Sequence, residues 1–175
     1  DTESGYAILA GVHARARDDA WAVGFAVRHD VWEPLIEHWD GTAWYVTPAP
    51  SSATYHQLYD VFAFDEANAW AVGTSGSGRS ASTLILHWDG IAWSIVPSPD
   101  IGETYNVLRR MAAVAPNDIW AVGYSFSPER ASSRALLLHW DGFHWAVVQD
   151  DTVGSREIFL YDVAAVSPDD VWASG

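Results

Sequence analysis

Residues 70–73 read Trp-Ala-Val-Gly, and residues 84–93 read Leu-Ile-Leu-His-Trp-Asp-Gly-Ile-Ala-Trp. The first motif returns at three further places, which are 21–24, 120–123 and, as Trp-Ala-Ser-Gly, 172–175. Its Trp therefore recurs at intervals of 49, 50 and 52 residues. The His-Trp-Asp-Gly part of the second motif returns twice, at 38–41 and 139–142. Self-similarity with a period of about 50 residues is typical of a repeat array or a propeller.

Each repeat divides into four short strands, which we label A to D in chain order. An apolar strand A precedes a tight turn such as Asp65-Glu66-Ala67-Asn68, whose residue types favour turns. Strand B begins with the Trp-Ala-Val-Gly motif, and strand C ends in His-Trp. The Asp-Gly pair that follows predicts a two-residue type I′ turn into strand D. Four strands per repeat without a helical period predict an all-β fold, a β-propeller of four-stranded antiparallel blades.

The repeat count predicts about three and a half blades in one partial propeller domain that spans residues 1–175. The blades are predicted at about 7–48, 56–97 and 106–149, with a half-blade at 158–175. A closed propeller needs about four blades or more. We therefore expect an incomplete ring or a fragment whose remaining blades belong to the same chain. The alternative is a homo-oligomeric partner that closes the ring.

Ten of the eleven Trp residues occupy repeat positions, where their flat apolar rings are expected to fill the spaces between blades. These residues are Trp21, Trp70, Trp120, Trp172, Trp39, Trp88, Trp140, Trp44, Trp93 and Trp145. The Asp residues of the Asp-Gly pairs are expected to bond backbone amides in their own turns, and they are Asp40, Asp89 and Asp141. Identical His-Trp-Asp triplets on separate blades indicate architecture, so we expect no metal site.

Ligand-binding candidates lie in the connections that vary between repeats. The predicted B–C connections are 25–34, 74–83 and 124–135, and the D–A connections are 48–57, 97–107 and 149–159. Both kinds open on one face of the disc, because strands alternate in direction within a blade. That face is where function is expected.

Within this face, one Trp and several charged side chains stand out. Trp32 lies outside the repeat and beside Arg28, His29 and Asp30. Such a Trp can stack on a sugar ring or anchor a partner, or simply cover the edge of the first blade. Four loop arginines are further candidates for binding a carboxylate or an acidic sugar, namely Arg79, Arg130, Arg134 and Arg156. The alternative is that they balance neighbouring acidic groups.

Composition excludes several function classes. The chain of 175 residues is 49% hydrophobic, and its 23 acidic against 9 basic residues give a net charge of −14. An acidic chain repels phosphate groups, so nucleic acid and anionic membranes are poor partners. The absence of Cys removes disulfides and thiolate chemistry. We recognise no catalytic constellation in the sequence, and therefore expect neither an enzyme nor a cofactor.

Two stretches of the chain carry a resemblance to a known class of proteins. Residues 35–44 (Leu-Ile-Glu-His-Trp-Asp-Gly-Thr-Ala-Trp) and 92–99 (Ala-Trp-Ser-Ile-Val-Pro-Ser-Pro) resemble tandem repeats of large bacterial surface and secreted proteins. The pattern is more distantly similar to BNR/Asp-box and kelch-like propellers. The Asp box itself is not reproduced, because Asp40 and Trp44 are only four residues apart. The resemblance implies a β-propeller at the cell surface or outside the cell, and it transfers no catalytic residue.

Three functions follow from these observations. The first is a non-catalytic extracellular module that binds a glycan or a protein through its B–C and D–A loop face. The second is a structural component of a surface or fibre that assembles through its open edges. The third is an enzyme that acts on polysaccharides, which rests on fold analogy alone.

Overall fold

The computed structural model describes residues 5–51, 53–77, 79–101, 104–128, 132–148 and 158–175, which form strands, turns and loops. The fourteen strands are β1 (Tyr6–Ala16), β2 (Asp19–Arg28), β3 (Val31–Trp39), β4 (Trp44–Val46), β5 (Tyr55–Asp65), β6 (Asn68–Ser77), β7 (Ser80–Trp88), β8 (Trp93–Ile95), β9 (Tyr105–Ala115), β10 (Asp118–Ser127), β11 (Ser132–Trp140), β12 (Trp145–Val147), β13 (Asp162–Ser167) and β14 (Asp170–Ser174). Within these described ranges, no helix is long and apolar enough to cross a bilayer.

The strands form three antiparallel blades, β1–β4, β5–β8 and β9–β12, followed by a half-blade, β13–β14. The A strands of successive blades contact one another, β1 with β5, β5 with β9 and β9 with β13, so they form the innermost layer. Short parallel bridges, Trp32 to Tyr55 and Ala81 to Tyr105, join one blade to the next. The predicted all-β, incomplete propeller of four-stranded blades is confirmed.

The apolar core lies between blades rather than within them. The first core cluster combines Trp21, Val23 and Ile36 of blade 1 with side chains of blade 2, and a second cluster joins blades 2 and 3. Trp21 is 1% exposed, and its ring centroid lies 5.3 Å from that of Trp88 and 5.2 Å from that of Trp93 in blade 2. Strand B of one blade therefore packs against the C–D tryptophan pair of the following blade.

The C–D connection differs from the predicted two-residue turn. Residues 40–43 form a four-residue loop between β3 and β4, and the loop is closed by the pairing of Trp39 with Trp44. Asp40 Oδ1 accepts hydrogen bonds from the backbone N–H groups of Thr42 (2.8 Å) and Ala43 (3.0 Å). A hydrogen bond from the Thr42 hydroxyl, together with these two backbone bonds, lowers the pKa of Asp40 to about 2. Only Gly41 has a positive φ, 92°, so an Asx turn replaces the type I′ geometry here.

The B–C connections are also shorter than predicted. Strands β2 and β3 pair as far as Arg28 and Val31, which leaves a two-residue turn with φ of 48° at His29 and 62° at Asp30. Positive φ at both central positions is typical of a type I′ turn. In blade 2, pairing continues to Ser77 and Ser80. The predicted loops at 25–34 and 74–83 are therefore mostly strand, because pairing with the rest of each blade overrides the weak strand propensity of their polar residues.

Two histidines, the half-buried His13 and the fully buried His56, accept backbone hydrogen bonds in their neutral form. His13 Nδ1 accepts the backbone N–H of Ala63 at 3.1 Å, which links β1 to β5. His56 is 0% exposed, and its Nε2 accepts the N–H of Ala53 at 2.9 Å. Burial lowers the pKa of both imidazoles below the ordinary 6.5, and Asp19 offsets this only in part for His13. Protonation would remove both acceptors.

We expect stability to fall as the pH drops through the histidine range. A group whose folded pKa is depressed stabilises the fold above its unfolded value and loses that contribution as the pH falls toward the folded value. The midpoint of urea unfolding should therefore be lower at a pH of about 5.5 than at about 7.5, a window above ordinary carboxylate titration. A double variant, His13→Gln with His56→Gln, should show a smaller difference. Equal midpoints at both pH values for the unmodified chain would contradict this account.

Candidate functional site

A backbone irregularity at the same place in each complete A strand builds the candidate site. Pairing with strand B slips by one residue after the repeated Leu, so that Ala10, Tyr59 and Arg109 are the extra, bulged residues. The Gly of Trp-Ala-Val-Gly lies opposite this Leu, and there the two backbones come very close. A Cβ at Gly73 would lie 1.9 Å from the carbonyl oxygen of Gln57. Only glycine leaves room for this approach.

The bulges bring an arginine between two tyrosines. The Arg109 guanidinium carbon lies 4.3 Å from the ring centroid of Tyr59 and 5.6 Å from that of Tyr124. Arg109 Nη2 donates to the Tyr124 hydroxyl at 3.1 Å. Arg109 Nε is buried and has no hydrogen-bond partner among the described residues. The cation is thus held in place by aromatic faces, with one donor left unused.

Neutral phenols surround this cation. The Tyr55 hydroxyl donates to Gln57 Oε1 at 2.5 Å, and the Tyr59 hydroxyl donates to the same oxygen. Burial raises the pKa of both phenols above the ordinary 10, so neither is ionised near neutral pH. The immediate surroundings of Arg109 therefore contain donors, aromatic faces and a positive charge.

The aromatic surface continues into the half-blade. The ring centroid of Tyr124 lies 4.8 Å from that of Phe159 and 6.4 Å from that of Tyr161, whose side chain is half exposed. We call Tyr55, Gln57, Tyr59, Arg109, Tyr124 and Tyr161 the inner cluster. Three members, Tyr55, Gln57 and Tyr59, lie in the innermost strand β5, and Arg109 lies in the innermost strand β9. Tyr124 lies in the neighbouring strand β10, and Tyr161 directly precedes β13. The pairing of Tyr55 with Gly76 places Tyr55 near the β6–β7 turn.

Half-buried polar contacts beside Tyr59 and Arg109 join blades 2 and 3. Asp60 Oδ2 accepts the backbone N–H of Met111 at 2.9 Å. Arg110 Nη1 donates to the carbonyl oxygen of Tyr59 at 3.1 Å. Burial raises the pKa of Asp60, although its hydrogen bond to Met111 and the charge of Arg110 act in the opposite direction. These contacts fix the backbone that presents Tyr59 and Arg109.

Trp32 is packed into the fold on several sides. It lies in β3 rather than in a loop, where it pairs with Val27 of β2. Its ring stacks on that of Phe25 at 4.9 Å, and the rings of Tyr6 and Tyr55 lie 6.3 and 5.2 Å away. Since Phe25 stacks on this half-buried indole and the rings of Tyr6 and Tyr55 also pack near it, it offers little surface for a sugar to stack on.

The other predicted ligand-binding residues that the structure describes lie in three different blades. Arg28, His29 and Asp30 lie at the β2–β3 turn of blade 1. Arg79 lies at the β6–β7 turn of blade 2, and Arg134 lies in β11 of blade 3; both are exposed and form no ion pair within the described part of the chain. Arg130 and Arg156 lie outside the described residues.

The repeated His, Asp and Trp side chains bond to one another inside each blade. His38 Nε2 lies 2.8 Å from Asp19 Oδ1, and its ring stacks on Trp21 at 4.2 Å. His139 and Asp118 repeat this arrangement at 2.8 Å, and in blade 2 Asn68 takes the place of the Asp. Within the described ranges, no three His, Asp or Glu side chains cluster as a metal ion would require.

Sequence reasoning missed the inner cluster because it searched loops and repeat positions. The useful signal lies within strand A, directly after the repeated Leu. That position holds Ala10, Tyr59, Arg109 and Tyr161 in the four repeats, although the residues around it recur. A position that varies inside an otherwise repeated strand indicates a side chain that the scaffold does not use.

Comparison with known proteins gives a likeness to solved structures. No known family matches the chain, and no curated protein matches it. A solved structure described as "YCF48 bound to D1 peptide" aligns with 97% of this chain at 13% sequence identity and a TM-score of 0.40. The chain spans 61% of the length of that protein.

Proposed function

We propose that this chain is a non-catalytic binding module that takes a carboxylate-bearing segment of a protein at the inner cluster. The observation that carries the proposal is Arg109, a cation held between two tyrosine rings with its Nε unbonded among the described residues. On a chain with a net charge of −14, such a prearranged cation is an unusual feature. Its forked donors suit a carboxylate.

The surroundings of Arg109 favour a protein ligand over a glycan. Tyr and Arg are enriched among the residues that dominate protein interfaces, because they combine contact area with directed donors. Tyr59, Tyr124 and Tyr161 supply such area around the cation. Trp32, the sequence-based candidate for a sugar platform, has its ring packed on Phe25.

The absence of catalysis and the location outside the cell are parts of the same proposal. Inner-cluster phenols with raised pKa values are poor bases near neutral pH. They sit beside a permanent cation, an arrangement suited to holding an anion. The extracellular location rests on the resemblance of residues 35–44 and 92–99 to bacterial surface repeats.

Binding should depend on Arg109 and on a free carboxylate. The probes are fluorescein-labelled peptides of random sequence that end in a carboxylate, with the same peptides ending in an amide as matched ligands. We expect saturable anisotropy changes for carboxylate peptides and a loss of about tenfold or more for Arg109→Met, since a hydrogen bond to a charged group contributes about 1.5–3 kcal/mol. Arg79→Met, at an exposed turn, serves as the control and should bind as the unmodified chain does.

Three outcomes of this experiment would count against the proposal. Equal affinity for carboxylate and amide peptides would show that the terminal carboxylate of the peptide does not contribute to binding. Equal binding by the Arg109→Met variant would place the site elsewhere. Saturable binding or turnover of a polysaccharide panel, without peptide binding, would favour the glycan or the enzyme alternative.

A second candidate function is self-assembly, which exposed apolar side chains of β1 favour. Leu9 and Val12 of β1 are 49% and 67% exposed, whereas their repeat equivalents Leu58 and Val61 are 0% and 3% exposed. Apolar surface of this kind marks interaction sites. A native mass above 19.2 kDa in dilute solution would favour this function.

A further inference from the structure

We propose that Gln57 is the second anchor of the inner cluster, and that its side-chain amide donates to a neutral carbonyl oxygen of the ligand while Arg109 holds the carboxylate. The ligand is then an α-carboxylate together with the carbonyl of the amide that precedes it. The C-terminal residue of a peptide and an N-acyl amino acid both carry this pair of groups. The inference rests on the proposed function, and it narrows the ligand from any carboxylate to this one class.

The orientation of the Gln57 amide is fixed by two phenols. The Tyr55 hydroxyl donates to Gln57 Oε1 at 2.5 Å, and the Tyr59 hydroxyl donates to the same oxygen. Burial raises the pKa of both phenols, so both keep the proton that they donate. A carboxamide oxygen has two lone pairs, and these two bonds occupy both of them. The acceptor side of Gln57 is therefore used by the chain itself, and only its donors are left.

The donors of Gln57 have no partner in the described part of the chain. Its Nε2 carries two N–H groups, and neither forms a hydrogen bond with a described residue. Gln57 is only 7% exposed, whereas Tyr55, Tyr59 and Arg109 are partly exposed, so a ligand has access to the cluster from solvent. A buried polar group without a partner costs free energy. An acceptor that the ligand supplies would remove this cost.

Gln57 and Arg109 can contact one small ligand because both contact the same side chain, Tyr59. The guanidinium carbon of Arg109 lies 4.3 Å from the ring centroid of Tyr59, and Gln57 accepts the hydroxyl of that ring. The two sets of donors are thus about one phenol ring apart. This spacing suits acceptors that belong to the same residue of a ligand.

Arg109 has enough donors for both carboxylate oxygens without the help of Gln57. A guanidinium carries five N–H donors in a fixed fork. Arg109 Nη2 uses one of them on the Tyr124 hydroxyl at 3.1 Å, and Nε is unbonded among the described residues. Nε and Nη2 lie side by side and can hold a carboxylate through two parallel bonds. The uncharged amide of Gln57 is therefore left for a third acceptor, and the carbonyl nearest to an α-carboxylate is that of the preceding amide.

The test uses the intact chain and ligands that differ in one bond. The reference ligand is fluorescein-labelled Gly-Gly-Ala-Phe with a free carboxylate, and binding is followed by anisotropy. A trans-alkene in place of its last peptide bond removes the carbonyl oxygen and the N–H, whereas an ester at that bond removes only the N–H. We expect the alkene ligand to bind about fivefold to tenfold more weakly, the usual effect of one hydrogen bond. The ester ligand should bind within about twofold of the reference, because it keeps the carbonyl.

Variants of Gln57 separate recognition of the carbonyl from a merely structural role. Gln57→Met removes the amide at similar volume, and it should bind the reference and alkene ligands equally. Gln57→Glu keeps an acceptor for both phenols but has no N–H donor, and it should also lose the discrimination between the two ligands. A structural role would weaken both ligands and leave their ratio unchanged. Arg79→Met, at an exposed turn, is the control and should keep the ratio of the unmodified chain.

The outcomes distinguish this inference from the proposed function. If the reference ligand binds through Arg109 but the alkene ligand binds equally well, Gln57 does not read the carbonyl, and the proposed function stands alone. An undiminished ratio in either Gln57 variant leads to the same conclusion. If the reference ligand does not bind, or binds equally to Arg109→Met, both proposals are wrong. Competition by N-acetylphenylalanine as strong as that by unlabelled Gly-Gly-Ala-Phe would identify the N-acyl amino acid as sufficient, whereas weaker competition would assign the site to the end of a peptide chain.

Discussion

Trp70→Ala is expected to lower the free energy of unfolding by about 3–5 kcal/mol, the usual loss when a large buried aromatic side chain is truncated. Trp70 is 4% exposed, and its ring centroid lies 5.0 Å from that of Trp140 and 5.9 Å from that of Trp145 in the next blade. The substitution leaves a cavity between blades 2 and 3 and removes the donor to Asn68. Urea unfolding followed by circular dichroism measures the loss.

The repeat supplies a matched control for this substitution. Trp172 holds the same repeat position and makes the same bond to its own strand, but it is 71% exposed. Trp172→Ala should therefore cost less than about 1 kcal/mol, as surface substitutions do. Because blades interact with their neighbours in series, the Trp70 variant is also expected to broaden the transition. Similar losses for both variants would show that the spaces between blades do not carry the stability of the fold.

The interfaces between blades were predictable because equivalent residues of the repeats occupy equivalent positions between blades. Trp21 and Trp70 follow the same pattern in sequence, and each packs on the C–D pair of the next blade. A position that must fit the same neighbours in every blade returns as the same residue. The arrangement of blades could therefore be predicted from sequence spacing alone, without any knowledge of a long-range contact.

The connections were less predictable because side-chain bonding decides them. Asp40-Gly41 resembles a two-residue hairpin turn, but Asp40 Oδ1 accepts the N–H groups of Thr42 and Ala43, and this extends the loop to four residues. Conversely, residues 74–77 read Thr-Ser-Gly-Ser and resemble a loop, yet they pair as strand with β7. Local propensity fails at both places, since pairing and capping energies exceed the weak preferences of single residues.

The inner cluster depends on contacts that local sequence patterns do not encode. Tyr59 and Arg109 are 50 residues apart in sequence, and they meet because bulges occur at equivalent places of two adjacent A strands. No local sequence pattern predicts the contact between these two side chains. Recognising strand A as the innermost strand, and then asking which of its positions vary, would have identified both residues.

Gly73→Ala is expected to be the other severe substitution, and it affects the fold and the candidate site together. A Cβ at Gly73 would lie 1.9 Å from the Gln57 carbonyl oxygen and 2.9 Å from Leu58 Cα, and both are backbone atoms that cannot rotate away. The bulge at Tyr59 must therefore shift or open. We expect a loss of about 3 kcal/mol or more in the free energy of unfolding, at or above the upper end of overpacking effects.

Ser75→Ala provides the control, because it removes a single hydroxyl from a half-buried position of the same strand. Its expected effect lies within about 0.5 kcal/mol. The Gly73→Ala variant, assayed at low temperature where it still folds, should also bind carboxylate peptides more weakly, since Tyr59 supports Arg109 at 4.3 Å. Unchanged stability and unchanged peptide binding would contradict the close approach of β5 and β6. A loss of stability with intact binding would separate the glycine from the site, so that the bulge would serve packing alone.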